Sequence, residues 1–241
     1  MKRCIVIGAS SGLGREVAKL LIAEGYTLGV AARRTEPLQE LKALAPQRVM
    51  TQAIDVTHNE APQALEQLID AVGGMDLLFY AAGVGNQNME LEPSIELSTV
   101  ATNALGFTRM MGAAYRHMAT HGGGHIAAIS SIAGTKGLGA APSYSATKAM
   151  QNTYLQALEQ QARMRKLDIT FTDLRPGFVA TPLLGDNPQY PMLLSPEKVA
   201  KEMVAAIKHR RHVWVIDWRW RIATALWHRI PRWLWCRLPI K

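Results

Sequence analysis

Arg3-Cys4-Ile5-Val6-Ile7-Gly8-Ala9-Ser10-Ser11-Gly12-Leu13-Gly14 is the stretch that decides the architecture of this 241-residue chain. Arg3 to Ile7 is a short β-branched run. Beyond the glycines, Val17, Ala18, Leu20, Leu21 and Ile22 recur as a helical apolar stripe that ends at Gly25. Strand, glycine turn and helix form the order that a phosphate site requires. Glycines let the backbone pass close to a pyrophosphate, and the free N–H groups and dipole at a helix start favour negative charge. The spacing is G-x-x-x-G-x-G rather than the commoner G-x-G-x-x-G, and a tight turn without a ligand is the competing reading of the glycines alone.

The same alternation continues outward from this unit. Strands are predicted at Thr27 to Ala31, Arg48 to Ile54, Asp76 to Tyr80, His125 to Ser130 and Asp168 to Leu174. The intervening helices are predicted at Leu38 to Leu44, Ala61 to Val72, Ile95 to His117 and Tyr144 to about Lys166. Ser195-Pro196-Glu197 starts a further helix with an N-cap and a first-position Pro, and Val213 to Ile216 is a last strand candidate. Crossovers long enough for helices imply an α/β fold, a Rossmann-like doubly wound parallel sheet in a single domain. Residues 1–212 are expected to form this domain and residues 213–241 a Trp/Arg-rich tail made of the last strand and an amphipathic helix.

Hydrophobic residues at 48% and charged residues at 19% suit one α/β domain with a full core. The formal charge of +8 is concentrated at one end. From Lys208 onward there are nine Lys or Arg against the single acid Asp217, so the first 207 residues balance, and all six Trp also fall in the last 28. Two cysteines, Cys4 and Cys236, make no disulfide framework and suit a reducing cytoplasm. The apolar run after Met1-Lys2-Arg3 breaks at Gly8 and Ser10, too early for a signal peptide, and no uncharged apolar run reaches membrane-spanning length.

Several residues carry possible chemistry. Tyr144 and Lys148 stand four apart on a predicted helix, so an ammonium lies one turn from a phenol and favours the phenolate, as general acid/base work requires. An exposed helix face gives the same spacing. Ser130-Ser131 closes a strand, where capping is the alternative. Asn103 lies within a helix, either as a polar site or as a satisfied amide. The strand ending at Ala31 is followed by Ala32-Arg33-Arg34 without an acid. An acid there would meet the ribose 2′-hydroxyl of NAD, whereas an Arg suits the 2′-phosphate of NADP, so NADP(H) is expected over NAD(H). Asp55-Val56 falls where an adenine ring would lie, with a turn-forming Asp as competitor. Ala82-Gly83 leaves room for a ligand at a strand end, and the apolar segment Leu183 to Leu194 suits a lid. His117, His121 and His125 are spaced by four, but Gly122-Gly123-Gly124 interrupts them, and no metal site is expected.

Together these motifs resemble the classical short-chain dehydrogenase/reductase family over about Arg3 to Ile207. Gly8, Gly12 and Gly14, with Ser10, Ser11 and Leu13 among them, match its cofactor turn. Asp55 and Val56 match the adenine side, Ala82-Gly83 a strand-end pair, and Pro176-Gly177 with Val179 and Thr181 the nicotinamide-side loop. Asn103, Ser131, Tyr144 and Lys148 match the catalytic tetrad, Ser131 rather than Ser130 standing thirteen before Tyr144. Two positions depart: Ile7 where the family usually has Thr, and Tyr80-Ala81 where it usually has two Asn, which puts local hydrogen bonding in question. The resemblance implies hydride transfer from NADPH to a carbonyl carbon while Tyr144 protonates the oxygen and Ser131 hydrogen-bonds it. It implies that Lys148 holds the nicotinamide ribose and lowers the Tyr144 pKa, and that Asn103 helps order a relay water; in the reverse direction Tyr144 is the base. It also implies a homodimer or homotetramer through the helices carrying Met110, Met111, Met118, Tyr154 and Leu158, for which plain core is the alternative.

The tail lies beyond the resemblance. Trp220, Ala223, Trp227, Ile230 and Leu234 recur at alternating three and four, with Arg221, Arg229, Arg232 and Arg237 mostly off that stripe and Pro231 interrupting it. This is an amphipathic basic element. It suits either peripheral contact with the inner face of a membrane or packing on its own body, more than nucleic acid. The rivals to an oxidoreductase acting on a small carbonyl or alcohol, lipophilic ones included, are a cofactor-sensing scaffold and a membrane-surface adaptor on the same fold.

Overall fold

The computed structural model describes residues 2–184 and 190–240. Seven strands, β1 (Arg3–Ile7), β2 (Thr27–Ala32), β3 (Val49–Ala53), β4 (Leu77–Tyr80), β5 (Gly124–Ile129), β6 (Ile169–Arg175) and β7 (Val213–Val215), form one sheet. Its order is β3-β2-β1-β4-β5-β6-β7, and every pairing is parallel. The chain leaves β1 toward one edge and returns to build the other half from β4. That reversal opens a crevice beyond the carboxyl ends of β1 and β4, where ligands bind in such sheets.

Alternation along β1 explains the layering. Cys4 and Val6 face one side, with α1 (Gly12–Ala23), α2 (Glu36–Leu44) and, later in the chain, the helix Pro196–Lys208. Ile5 and Ile7 face the other, with α3 (Ala61–Val72) and the helices Phe107–Thr120 and Pro142–Met164. Ile7 is therefore simple core. Tyr80 is too: its ring is buried edge-on against Phe107 at 5.2 Å, and its hydroxyl has no partner among the described residues.

The helix expected at Ile95 to His117 is three segments. α4 (Pro93–Val100) passes into a π-helical stretch, Ala101–Gly106, before α5 (Phe107–Thr120) resumes. Such wide turns tend to occur at functional sites, and this one carries Asn103. Met110, Met111 and Met118 are completely buried against the sheet, so they are core and not a pairing surface. His125 is also structural, its Nε2 lying 2.8 Å from the Thr172 hydroxyl.

After α6 (Pro142–Met164) and α7 (Pro196–Lys208), β7 leads into α8 (Trp218–Arg229) and a short α9 (Arg232–Trp235). Trp220 and Thr224 are buried on the body side of α8, with Ala223, Trp227 and Ile230 partly so. The expected stripe thus faces inward up to Pro231. There the phase shifts: Leu234 is exposed, and Trp235 turns in to donate from Nε1 to the Gly137 carbonyl at 2.7 Å. Lys136 Nζ donates to the Ile230 carbonyl at 3.0 Å.

Phe79, fully buried in central strand β4, reports on the core that both halves of the sheet share. Phe79→Ala is expected to lower unfolding stability by about 3–5 kcal/mol, read in urea as a lower midpoint with an unchanged slope.

Candidate active site

The glycine turn folds so tightly that side chains are excluded. Gly8 has φ +90°, and a Cβ there would lie 2.5 Å from the Ala82 amide nitrogen; a Cβ on Gly14 would lie 2.1 Å from the Gly8 carbonyl oxygen. The Ala31 carbonyl holds the turn by accepting from the amides of Gly8 and Ala9 at 2.8 and 3.1 Å. Ser11 precedes α1 without giving its side chain to the helix, so the first-turn amides lack a capping partner from it. The turn opens onto a cavity of about 630 Å³, within the range of small-molecule sites.

All but one of the candidate cofactor and catalytic residues line this cavity. Ser10, Ser11, Gly12, Leu13 and Gly14 form one wall, with Arg33 at the end of β2 and Asp55 and Val56 after β3. Ala82 and Gly83 follow β4, Ser131 follows β5, Tyr144 and Lys148 come from α6, and Pro176, Gly177, Val179 and Thr181 follow β6. The exception, Asn103, is buried behind the lining. Arg34 lines the cavity as well, its Nη2 3.5 Å from the Ser10 hydroxyl. Asp55 forms a turn at the cavity edge, its carboxylate accepting from the Thr57 amide and hydroxyl at 2.9 and 2.7 Å. Burial pushes this carboxyl up, but the Thr57 bonds and the charges of Arg33 and His58 hold it below the usual range.

Ser131 caps a short helical turn, Ile132–Thr135, by accepting from the Ala133 amide at 3.0 Å, which leaves its O–H to donate elsewhere. The Lys148 ammonium lies 5.6 Å from the centre of the Tyr144 ring. It donates to the Ile129 carbonyl and to Gln151 Oε1, both at 3.1 Å. Burial lowers its pKa to about 8, with Asp173 pulling the other way. The expectation that Lys148 lowers the Tyr144 pKa is corrected for the protein alone: burial raises the phenol above its usual value, and the Ser131 hydroxyl acts in the opposite direction. The physical reason is desolvation of the phenol itself, which outweighs the Ser131 hydrogen bond.

Asn103 is held on every side. Its Oδ1 accepts from the Val84 amide at 2.9 Å, its Nδ2 donates to the Val84 carbonyl at 2.7 Å and to Thr147 Oγ1 at 3.3 Å, and its carbonyl accepts from Gln151 Nε2 at 2.7 Å. Gln151 thus bridges Asn103 to Lys148. Beneath Ser131 runs a second buried network. Ser130 donates to Asp173, which pairs with Arg175 at 2.6 Å, and Asn152 bonds the Ser130 hydroxyl at 2.8 Å with its amide oriented to satisfy its neighbours.

The loop after β6 is tied to the tail. Phe178 stacks on Tyr190 at 4.6 Å and meets the Trp220 ring edge-on at 5.7 Å. The Trp220 indole fills the space a side chain would need at Gly177, where a Cβ would come within 2.2 Å of its nitrogen. Leu194 pairs back onto this loop through Phe178 and Ala180. The expected lid also spans residues 185–189, which lie outside the described residues.

A family model for short chain dehydrogenase matches residues 2–190. The chain belongs to the short-chain dehydrogenase family. An oxidoreductase of Myxococcus xanthus, itself uncharacterised, is 34% identical over 197 residues, 79% of this chain and 77% of the relative. Another of Mycobacterium tuberculosis is 28% identical over 226 residues, 90% and 88% of the two chains. A short-chain dehydrogenase structure from Streptomyces avermitilis superimposes with a TM-score of 0.82 at 25% identity, covering 94% of this chain and 92% of that one. The alcohol dehydrogenase of Thermococcus sibiricus, solved with 5-hydroxy-NADP, has the same fold at a TM-score of 0.78 and 22% identity, covering 90% and 96%. As a short-chain dehydrogenase/reductase, the protein is an NAD(P)-dependent oxidoreductase acting on a CH–OH or C=O group.

Sequence reasoning missed Gln151 and Trp220 as parts of this site. Gln151 had a local signal, standing three after Lys148 on the same helix face; Trp220 had none, because only folding brings it under Gly177.

The depressed Lys148 pKa has a stability consequence. The folded state binds fewer protons than the unfolded chain between about pH 8 and the ordinary lysine value of 10.5, so stability from this group rises with pH across that window. Lys148→Met is expected to flatten the rise, by roughly 3 kcal/mol over the window, in urea titrations at stepped pH.

Proposed function

We propose that this protein is an NADP(H)-preferring reductase or dehydrogenase that interconverts a carbonyl and an alcohol. The observation that carries the reading is the joint presence of Ser131, Tyr144 and Lys148 on the cavity that the glycine turn opens. The turn suits a dinucleotide: its glycines admit a pyrophosphate close to backbone amides, and the end of β2 offers Arg33 and Arg34, both exposed, with no acid beside them. Gly8, Ser10, Ser11, Gly12, Leu13 and Gly14 would hold the phosphates, Asp55 and Val56 the adenine side, and Lys148 with the Pro176–Thr181 loop the nicotinamide side. The cofactor, when bound, gives or takes the hydride at the substrate carbon.

The chain's own part is proton chemistry at the oxygen. In reduction, the Tyr144 hydroxyl gives its proton to the oxygen while the Ser131 O–H donates a hydrogen bond to it; in oxidation, Tyr144 takes the proton back. With the protein alone the phenol is held protonated by burial, the form needed to reduce a carbonyl. Lys148 is near its midpoint around pH 8 and charges the site when protonated. Asn103 positions Lys148 through Gln151. Phe178, Val179, Leu183 and Leu184 on the cavity wall favour a lipophilic substrate. Pairing into a dimer or tetramer would use the outer faces of α4, the π-helical stretch and α6, where Leu97, Leu105 and Met164 are exposed. The unpaired Cys4 and Cys236 accord with a reducing cytoplasm.

Tyr144→Phe is expected to lower kcat by about 10²–10⁴ while leaving NADPH affinity, read by fluorescence titration, nearly unchanged; undiminished turnover would remove Tyr144 as the acid. Arg33→Ala is expected to weaken NADPH binding about tenfold or more, the size of a lost charge-assisted hydrogen bond, and to spare NADH. Equal losses for the two cofactors would contradict the 2′-phosphate assignment.

A further inference from the structure

The tail helix has two apolar faces, and only one is used by the body. Trp220, Ala223 and Trp227 pack inward. On the opposite side of α8, Trp218, Ile222 and Leu226 stand at successive intervals of four, with 65%, 53% and 58% of their surface exposed. At this spacing they form one continuous outward stripe. Trp233, 63% exposed, with Leu234 and Leu238, extends the apolar surface past Pro231. Patches of exposed Trp, Ile and Leu of this extent mark an interaction surface.

Charge decides what covers it. Two of the tail arginines are spent within the protein: Arg219 binds Asp217 at 2.9 Å, and Arg221 reaches Glu202 at 3.1 Å. Arg229, Arg232 and Arg237 make no ion pair among the described residues. Arg229 lies at the end of α8, Arg232 at the start of α9, and Arg237 over the Trp233 ring at 5.5 Å. A second copy docking the same patch on itself would set Arg229, Arg232 and Arg237 against the same three arginines, because an isologous contact pairs a surface with itself. A nucleic acid would use the arginines but leave Ile222 and Leu226 without a role. An anionic bilayer uses every component: aliphatic side chains enter the acyl boundary, Trp sits at the headgroup level, and Arg pairs with lipid phosphates. None of the helices in the described residues is long and apolar enough to cross a membrane, so the contact lies in the interface plane.

We propose that the outward face of α8 and α9, built on Trp218, Ile222, Leu226 and Trp233 with Arg229, Arg232 and Arg237, docks the protein on anionic membrane surfaces. The inner face of the same helix supports a loop that lines the cavity, through Trp220 and Phe178. Docking therefore sets the site one helix from the lipid. It does not depend on the catalytic assignment, and its test reads binding, not turnover.

The full-length protein is floated with phosphatidylcholine vesicles, with and without phosphatidylglycerol, at low and high salt. The expected result is co-flotation with the anionic vesicles only, weakened by salt. Trp218→Ser/Ile222→Ser/Leu226→Ser should reduce bound protein at least tenfold while circular dichroism and melting stay as in the parent. Arg229→Gln/Arg232→Gln/Arg237→Gln should erase the preference for anionic lipid, each arginine contributing on the order of fivefold. Parent and triple-serine variant floating equally would overturn the proposal, as would failure of the parent to float. Loss of a dimer in the serine variant during sedimentation, with no vesicle binding by the parent, would assign the face to a second copy instead.

Discussion

A lysine ammonium buried at the carboxyl edge of a sheet must be met by oxygen atoms, and much of the site is arranged to meet that demand. The Lys148 charge has left water, which is costly unless hydrogen bonds replace the lost hydration. One acceptor is the Ile129 carbonyl at the end of β5, just before the serines; the other is Gln151, one turn along α6. Gln151 is in turn anchored by the Asn103 carbonyl. Satisfying one ammonium therefore brings together the end of β5, the long helix α6 and the π-helical stretch, so Tyr144 and Lys148 are fixed relative to the sheet. The network of Ser130, Asn152, Asp173 and Arg175 secures the same strand end from below.

What could be read in the sequence follows from the range of the interactions involved. Each strand and most helices of the body announce themselves in a few residues of period, and the glycine turn is set by local backbone demands, so the sheet and the glycine-turn wall of the cavity were legible. Tyr144 and Lys148 were legible for the same reason, being one turn apart. The direction of the Tyr144 pKa was not, because it depends on how far folding desolvates the phenol and on the Ser131 hydroxyl, thirteen residues upstream. The methionines of α5 illustrate a different limit. A stripe on a long helix shows that one side is apolar but not whether it meets a sheet or another subunit, and here Met110, Met111 and Met118 all meet the sheet. Tyr80 and Ile7 occupy positions where hydrogen-bonding side chains were expected, and both are absorbed into the core.

The tail was the least legible part because its pattern supported two arrangements at once. The stripe through Trp220 and Trp227 packs on the body, stepping edge-on from Phe178 through Trp220 and Trp227 to Trp235. Aromatic pairs in this geometry add to ordinary area burial, which explains how a short, strongly basic segment is held against the domain. Hydrophobic residues so dense that one face cannot hold them all leave a second stripe in solvent, and a helical-period reading reports only the stronger of the two.

The placement of Trp220 under Gly177 has a thermodynamic consequence. One rigid helix carries contacts on opposite sides: inward to the loop over the cavity, outward to whatever covers Trp218 and Leu226. If lipid on the outer face changes the position of α8, the affinity of the loop for its ligand changes by some factor, and the ligand must change the affinity for lipid by that same factor. The coupling has no preferred direction. A ligand-filled enzyme and an empty one would then partition differently between surface and solution, making occupancy of the pocket a determinant of where the protein resides.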